Sequence, residues 1–255
     1  MHGTVFVTGA RRGIGRAIAL SLAEGGFDIA LNDLEPSAEL ALACDEIIAL
    51  GRRAVPVSGD VGDLAQHARM LDEAEAALGP LTTLVNNAGV SALARGDLLE
   101  VAAASYDRCM AINARGTFFL TQAFAKRLLA HKRTEGVHHS VVTLSSANAI
   151  APSIARGEYC MSKAAVSMLT KLFAARLSND GIGVYEIQPG FIETEMTAPS
   201  KARYDALIEG GITVIRRWGQ PEEVGRIALT LASGLLPYTS GQAVQADGGL
   251  LSVRY

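Results

Sequence analysis

The chain has 255 residues, of which 49% are hydrophobic and 19% are charged, and its formal net charge is -3. This composition provides enough apolar residues for a buried core and excludes a disordered chain. The small negative charge and the 5% of aromatic residues disfavour a nucleic-acid-binding protein, so no nucleic-acid partner is expected.

Short apolar runs alternate with longer amphipathic segments along the chain. The short runs predict strands at residues 4–8, 29–31, 54–57, 83–85, 140–144, 183–187 and 241–244. The longer segments predict helices at residues 13–24, 36–51, 63–79, 103–130 and 158–177, and one that begins at Pro221. Continuous apolar strands that alternate with helices are typical of parallel sheets covered on both faces. We therefore predict an α/β fold in which residues 1–255 form a single domain, a doubly wound parallel sheet of about seven strands in three α/β/α layers.

The segment 191–219 is the one irregular region of this pattern, and it precedes the last helix. Long connections in compact domains often cover active sites. We therefore expect residues 191–219 to form a substrate lid, with Gly190 and residues 210–211 as hinges.

Neither the membrane nor an oxidising compartment is favoured by the sequence. The longest uncharged stretches, 136–155 and 227–246, are interrupted by polar residues or proline, so no membrane span is expected. Cys44, Cys109 and Cys160 form no CxxC pair, and the amino terminus resembles no secretion signal. A cytoplasmic location is the expectation.

The five histidines do not have the spacing of metal ligands, so no metal site is predicted. His138 and His139 are adjacent and precede a predicted strand. We interpret them as a solvated pair at the entrance of that strand.

Ligands of doubly wound sheets bind outside the carboxyl ends of the strands. The first strand is followed by the glycine-rich sequence TGARRGIG at residues 8–15, and glycines there let a pyrophosphate approach the backbone and the next helix. Asp33 ends the second strand, where a carboxylate accepts hydrogen bonds from the adenosine ribose, although it can also cap the helix after Pro36. Asp60 follows the third strand and contacts the adenine edge or orders the loop.

A second group of residues carries acid–base chemistry. Tyr159 and Lys163 are four residues apart and share a helix face. A nearby ammonium group favours the phenolate and lowers the tyrosine pKa. Ser146 ends another strand, and Asn113 is a polar amide in mid-helix, where it needs a bonding partner.

These motifs occur in the order and spacing of the short-chain dehydrogenase/reductase family, and the resemblance covers nearly the whole chain. The motifs are TGxxxGIG at 8–15, NNAG at 86–89, Asn113, Ser146, YxxxK at 159–163 and PG at 189–190. Within the family the chain most resembles the 3-oxoacyl-[acyl-carrier-protein] reductases and the NAD-linked alcohol and sugar dehydrogenases that are similar to them. The resemblance implies a Rossmann-type fold and an oxidoreductase that interconverts a ketone and a secondary alcohol with NAD or NADP.

The resemblance also implies roles for four catalytic residues. Ser146 would hydrogen-bond the substrate oxygen, and Tyr159 would act as general acid or base. Lys163 would lower the pKa of Tyr159 and bind the nicotinamide ribose, while Asn113 would hold a water that links Lys163 to solvent.

The same resemblance predicts the residues that contact the cofactor. They are Gly9, Arg12, Gly13, Ile14, Gly15, Asp33, Asp60, Val61, Asn87, Ala88, Gly89, Tyr159, Lys163, Pro189, Gly190, Ile192 and Thr194. Val90 and Ile192 would pack on the nicotinamide, and Thr194 would bind its carboxamide.

The substrate is a small carbonyl or alcohol compound in this interpretation, and its identity stays open. A 3-oxoacyl reductase is the first hypothesis; a dehydrogenase of sugars, polyols or other small alcohols is the alternative, and a non-catalytic dinucleotide sensor is a remote one. Against carrier-protein docking, Asp180 stands where such reductases have a basic residue.

Two further expectations concern the cofactor and the assembly. Arg11 and Arg12 favour the 2′-phosphate of NADP, whereas Asp33 would repel it. Because Asp33 is short and anchored at a strand end, we predict that NAD is preferred and that NADP can be used.

A homotetramer that pairs through the helices at 103–130 and 158–177 is expected from the resemblance and from their many apolar residues.

Overall fold

A computed structural model of the chain describes residues 3–130 and 136–253. In these residues one sheet of seven parallel strands has the order β3-β2-β1-β4-β5-β6-β7. The strands are β1 Thr4–Thr8, β2 Asp28–Asp33, β3 Ala54–Ser58, β4 Thr83–Asn86, β5 His139–Leu144, β6 Ile182–Pro189 and β7 Ala243–Ala246. The predicted doubly wound parallel sheet is confirmed.

Helices cover both faces of the sheet and complete the three layers. They are α1 Gly13–Glu24, α2 Ala38–Ala49, α3 His67–Leu78, α4 Ala103–Cys109, α5 Thr117–Ala130, α6 Gly157–Leu177, α7 Lys201–Glu209 and α8 Pro221–Ala232. Val5 and Val7 of β1 pack in one core cluster with residues of α1, α2 and α8. Phe6, between them, packs in a second cluster with residues of α3 and α5. Since successive side chains of a strand point to opposite faces, a strand covered on both faces must be apolar throughout.

The strand order creates the cleft for the site. From β1 the chain proceeds outward to β2 and β3, whereas from β4 it proceeds in the other direction to β7. The loops after β1 and β4 therefore diverge, and a crevice opens between them at the carboxyl ends of the strands.

The predicted helix at residues 103–130 is one exception to the expected elements, because it is not a regular helix throughout. A π-helical stretch, Met110–Gly116, separates α4 from α5. This wider turn contains Asn113, whose side chain is buried and bonded to neighbouring segments rather than to its own helix. Such π-helical insertions frequently occur at functional sites.

Several element boundaries also differ from the prediction. The helix expected from residue 63 begins as α3 at His67, because the Asp63 carboxylate accepts a hydrogen bond from the backbone N–H of Ala65 and caps a preceding 3₁₀ turn. The last strand lies two residues later than expected, at Ala243–Ala246. The segment 191–219 contains a helix, α7.

The interpretation of the histidine pair as solvated was wrong. His139 begins β5 and is 5% exposed. His138 is partly buried, and its Nε2 lies 3.3 Å from the hydroxyl of Tyr185. Burial lowers the pKa of His138, which favours the neutral ring.

Candidate active site

The turn after β1 has glycines at positions where the backbone conformation or a close neighbour disfavours a side chain. Gly9 and Gly13 have positive φ angles of 63° and 56°. A Cβ atom on Gly15 would lie 2.0 Å from the Gly9 carbonyl oxygen and 2.4 Å from Asn87 Nδ2. No side chain caps the N–H groups at the start of α1, so they are free for an anion. A glycine cradle with free amides fits the pyrophosphate of a dinucleotide.

The loop after β4 holds this turn in place. The hydroxyl of Thr8 accepts hydrogen bonds from the backbone N–H groups of Asn87 and Ala88, both at 2.9 Å. In return, Asn87 Nδ2 donates to the carbonyls of Thr8 and Gly9, at 2.9 and 3.0 Å. The conformation of the glycine-rich turn therefore depends on the NNAG segment.

Asp33 is fixed at the end of β2. Its carboxylate accepts hydrogen bonds from the backbone N–H groups of Leu34 at 2.9 Å and Arg11 at 3.3 Å. The Arg11 side chain lies close as well, with its Nε 3.8 Å from Asp33 Oδ1. Arg12 pairs with Glu195, and both side chains are more than half exposed. Asp60 accepts a hydrogen bond from the Gly62 N–H at 2.7 Å and so orders its own loop.

A cavity of about 730 Å³ occupies the crevice at the carboxyl ends of the strands. Every residue that was predicted to contact the cofactor lines it, from Gly9 in the glycine-rich turn to Thr194 after β6. Ser146, Tyr159 and Lys163 line the same cavity. One continuous space thus joins the glycine cradle to the predicted acid–base residues.

Tyr159 and Lys163 extend from the first turns of α6 and are 8% and 5% exposed. Lys163 Nζ donates to the carbonyl of Leu144 at 2.9 Å and lies 5.9 Å from the centre of the Tyr159 ring. Burial lowers the pKa of Lys163 to about 8, because the ammonium group loses hydration.

Burial has the opposite effect on Tyr159, whose pKa it raises above the usual value. The Arg156 guanidinium and a hydrogen bond with Ser146 oppose this rise by stabilising the phenolate. The Cζ atom of Arg156 lies 5.0 Å from the centre of the Tyr159 ring. Sequence reasoning assigned the neighbouring positive charge to Lys163 and missed Arg156.

Asn113 lies behind the cavity wall and is 1% exposed. Its Oδ1 accepts a hydrogen bond from the Val90 N–H at 2.8 Å, and its Nδ2 donates to the Val90 carbonyl and to Ser162 Oγ, both at 2.9 Å. A Cβ atom on Gly89 would lie 3.2 Å from Asn113 Oδ1 and 3.5 Å from Lys163 Nζ. Asn113 therefore holds the end of the NNAG segment against the helix that carries Lys163.

Other lining residues had not been predicted as site residues. They are chiefly polar or charged and include Asn32, Ser91, Arg95, Arg108, Ser145 and Arg156. Arg156 could have been found from its position three residues before Tyr159, directly before α6. Arg95 and Arg108 carry no local signal, since only the fold brings them to the cavity.

Neither a cluster of metal ligands nor a membrane-spanning helix is found in the described ranges. Residues 3–130 and 136–253 contain no group of three or more His, Cys, Asp or Glu side chains that could hold a metal ion. Within the same ranges, no helix combines the length and apolar character needed to cross a membrane.

Known proteins resemble the chain over almost its whole length. The sequence model of a family described as Enoyl-(Acyl carrier protein) reductase matches residues 9–251. A 2-dehydro-3-deoxy-D-gluconate 5-dehydrogenase of Dickeya dadantii is 31% identical, with 96% of this chain and 94% of the relative covered. The 3-oxoacyl-[acyl-carrier-protein] reductase FabG of Staphylococcus aureus is 32% identical, with 98% of each covered.

Solved structures agree with these relatives. A 3-oxoacyl-[acyl-carrier protein] reductase from Brucella melitensis in complex with NAD has a TM-score of 0.96 and 40% identity, and the match covers 100% of this chain and 99% of that one. A putative 2-deoxy-D-gluconate 3-dehydrogenase from Agrobacterium tumefaciens with bound NADP has a TM-score of 0.85 and 33% identity, with coverages of 98% and 96%. The protein therefore belongs to the short-chain dehydrogenase/reductase family and is an oxidoreductase that acts on CH–OH groups with a nicotinamide dinucleotide.

Proposed function

We propose that the protein interconverts a ketone and a secondary alcohol by hydride transfer, with Tyr159 as the general acid or base. The observation that carries this proposal is the shared cavity, in which the glycine cradle, Ser146, Tyr159 and Lys163 face one space. The nicotinamide supplies or accepts the hydride when it is bound. The protein orients the reactants and moves the proton.

Each of the four catalytic candidates has a separate task in this proposal. Ser146 hydrogen-bonds the substrate oxygen beside the phenol of Tyr159. For reduction Tyr159 donates its proton to that oxygen, and for oxidation it removes the proton. Lys163 binds the nicotinamide ribose and favours the phenolate, while Asn113 positions the loop and holds a water that connects Lys163 to solvent.

The Tyr159→Phe substitution tests the acid–base role. The phenyl ring retains the packing but has no transferable proton, so kcat should fall by about 10²-fold or more while the Kd for the cofactor stays unchanged. Steady-state kinetics and cofactor titration measure the two quantities. The control is Tyr185→Phe, a buried tyrosine that packs in the core cluster of β1 and bonds to His138. Near wild-type turnover in Tyr159→Phe would exclude the proposed role.

The Lys163→Met substitution tests two effects of Lys163 separately, one on catalysis and one on the free energy of unfolding. Because the folded-state pKa of Lys163 is lowered to about 8, the unfolded chain binds more protons between that pH and the ordinary lysine value of 10.5. Wild-type stability should therefore rise with pH in this window relative to the variant. Below pH 8 the charged lysine fully opposes folding, and the variant should gain most there, while its turnover and cofactor affinity fall.

Urea unfolding of both proteins at several pH values measures this difference. Lys171→Met provides the control, because Lys171 is exposed on the same helix. A difference between wild type and Lys163→Met that does not change from pH 7 to pH 10 would contradict the prediction.

We further propose that NAD is preferred over NADP. The carboxylate of Asp33 is held by two backbone N–H groups and cannot withdraw from a 2′-phosphate. Two anions a few ångströms apart repel by about 1–4 kcal/mol at effective dielectric constants of 80 to 20. Arg11 and Arg12, which would attract the phosphate, are paired with Asp33 and Glu195.

Asp33→Ala should shift the preference toward NADP by about tenfold or more, because it removes the repulsion and releases Arg11. The measurement is kcat/KM for both cofactors with one substrate. Glu35→Ala serves as the control, since it removes an exposed carboxylate two residues away. A wild-type preference for NADP, or an unchanged preference in Asp33→Ala, would refute the proposal.

Two substrate classes are compatible with the relatives, which include 3-oxoacyl-[acyl-carrier-protein] reductases and sugar-acid dehydrogenases. At the end of α6, Asp180 lies 2.7 Å from Arg176 and neutralises it. This pairing leaves less positive charge for an acidic carrier protein. It favours a free small-molecule substrate over a carrier-bound thioester, and we propose the former.

We also propose a homotetramer. Leu120, Phe124, Val166 and Leu169 of the two pairing helices are buried in their own subunit. Phe119, Met168 and Leu172 are 38%, 53% and 56% exposed, which supports contact with another copy. A monomeric mass in light scattering at micromolar concentration would contradict this proposal.

The remaining proposals concern the domain, the lid and the compartment. We propose that residues 1–255 are one domain and that 191–219 form a substrate lid. The ends of this segment are joined by backbone hydrogen bonds, from Gly219 to Phe191 and from Glu193 to Gly219, and amide exchange with and without ligand tests its movement.

The three free cysteines support a reducing, cytoplasmic location, which cell fractionation tests.

A further inference from the structure

Three arginines line the cavity that contains Ser146 and Tyr159, and Arg156 lies beside the Tyr159 ring. Arg95 lies in the loop after β4, Arg108 at the end of α4, and Arg156 directly before α6. Among residues 3–130 and 136–253, none of the three forms an ion pair. The cavity thus has three arginine side chains whose positive charge is not paired with an acid of the described residues.

Two of the three acidic residues that line the cavity pair with arginines of the glycine-rich turn. Asp33 and Asp60 follow β2 and β3, and Asp33 is beside Arg11. Glu195 pairs with Arg12 of the glycine-rich turn. These acids therefore balance the arginines around the cofactor cradle.

Arg156 is the most constrained of the three arginines. Its Nη2 donates to Asn148 Oδ1, and Asn148 is itself held through a hydrogen bond from its Nδ2 to the Ala151 carbonyl at 2.8 Å. Its Nε is buried and has no hydrogen-bond partner in the described part of the chain. Glu158, two residues further on, does not supply one: its Oε1 accepts from Ser105 at 2.6 Å, its Oε2 has no hydrogen-bond partner among the described residues, and it lines a separate cavity.

The other two arginines line the cavity and are exposed. Arg95 Nη1 donates to the Tyr204 hydroxyl at 2.8 Å, which connects the loop after β4 to α7. Arg108 Nη1 lies 3.3 Å from the Ser91 carbonyl. They add to the positive potential through which a charged substrate would enter.

We propose that the substrate is a small hydroxy- or oxo-carboxylate whose carboxylate group binds Arg156. This inference rests on the oxidoreductase function proposed above and specifies its substrate class. The guanidinium is 5.0 Å from the ring of Tyr159. The carboxylate of the substrate is therefore separated by few carbon atoms from the carbon that reacts. Arginine binds carboxylates through paired, charge-assisted hydrogen bonds.

The size of the cavity supports a small substrate. Its volume of about 730 Å³ must also accommodate the dinucleotide, which leaves room for a compact molecule. A neutral polyol of equal size would offer the Arg156 guanidinium only neutral hydroxyl oxygens, whereas a carboxylate supplies the negative charge that no side chain of the described residues supplies. Charge-assisted hydrogen bonds are stronger than neutral ones, so the site favours the carboxylate.

The test is a titration of the protein–NADH complex with D-gluconate, with the neutral D-glucitol and with D-glucitol 6-phosphate, each followed by NADH fluorescence. NADH is used because its reduced nicotinamide carries no positive charge and cannot attract the carboxylate itself. Gluconate should bind at least tenfold more tightly than glucitol. Equal affinity, no binding of gluconate, or tighter binding of glucitol 6-phosphate than of gluconate would overturn the carboxylate assignment.

Arg156→Gln should reduce the preference for gluconate over glucitol by about tenfold or more, the effect expected from loss of a charge-assisted pair. Taking the ratio of the two Kd values cancels any effect of Arg156 that is common to both ligands. Arg115→Gln is the matched control, because Arg115 is exposed and does not line the cavity. An unchanged ratio in Arg156→Gln would also overturn the inference.

Turnover separates this inference from the proposed function. Hydroxy acids such as 3-hydroxybutyrate should be oxidised with a kcat/KM at least tenfold above that of butane-1,3-diol. Oxidation of neutral alcohols alone would refute the carboxylate assignment and leave the hydride-transfer function intact. Carboxylate binding without turnover of any alcohol or ketone would refute the function and retain the binding site.

Discussion

The hydrogen bonds between the turn after β1 and the loop after β4 are the interaction on which the site depends. Thr8 and Asn87 exchange these bonds across the two central strands, at the point where the strand order reverses. These hydrogen bonds satisfy backbone groups that would otherwise need solvent. The glycine-rich turn can therefore stay open toward the ligand. The absence of side chains at Gly9 and Gly15 permits this contact.

From this contact the geometry extends to the acid–base residues. The loop after β4 continues to Gly89 and Val90, which Asn113 clamps against the π-helical stretch. Asn113 also bonds Ser162, which adjoins Lys163 on α6. The cofactor cradle and the catalytic helix are therefore connected through a short series of buried hydrogen bonds, and such a connection limits the movement of the reacting groups relative to one another.

Charge is distributed unevenly along the cavity. At the cradle the acids and arginines pair, whereas near Tyr159 the positive groups Arg156 and Lys163 have no acidic partner in the lining. Burial alone would keep the phenol protonated and the lysine readily deprotonated. A positive guanidinium beside the ring opposes the first effect, so Arg156 combines an influence on Tyr159 with the proposed recognition of an anionic substrate.

The sequence by itself determined the sheet, its cover of helices and the glycine-rich turn that lines the cavity, because these depend on local signals. Apolar strands, glycines at strand ends and the spacing of Tyr159 and Lys163 are all readable along the chain. Tertiary structure decided the interruption of the helix around Asn113, the burial of His139 and the convergence of Arg95, Arg108 and Arg156. These features depend on contacts between distant segments: a side chain that bonds another element, or a charge that lacks a partner, has no periodicity or local spacing to reveal it.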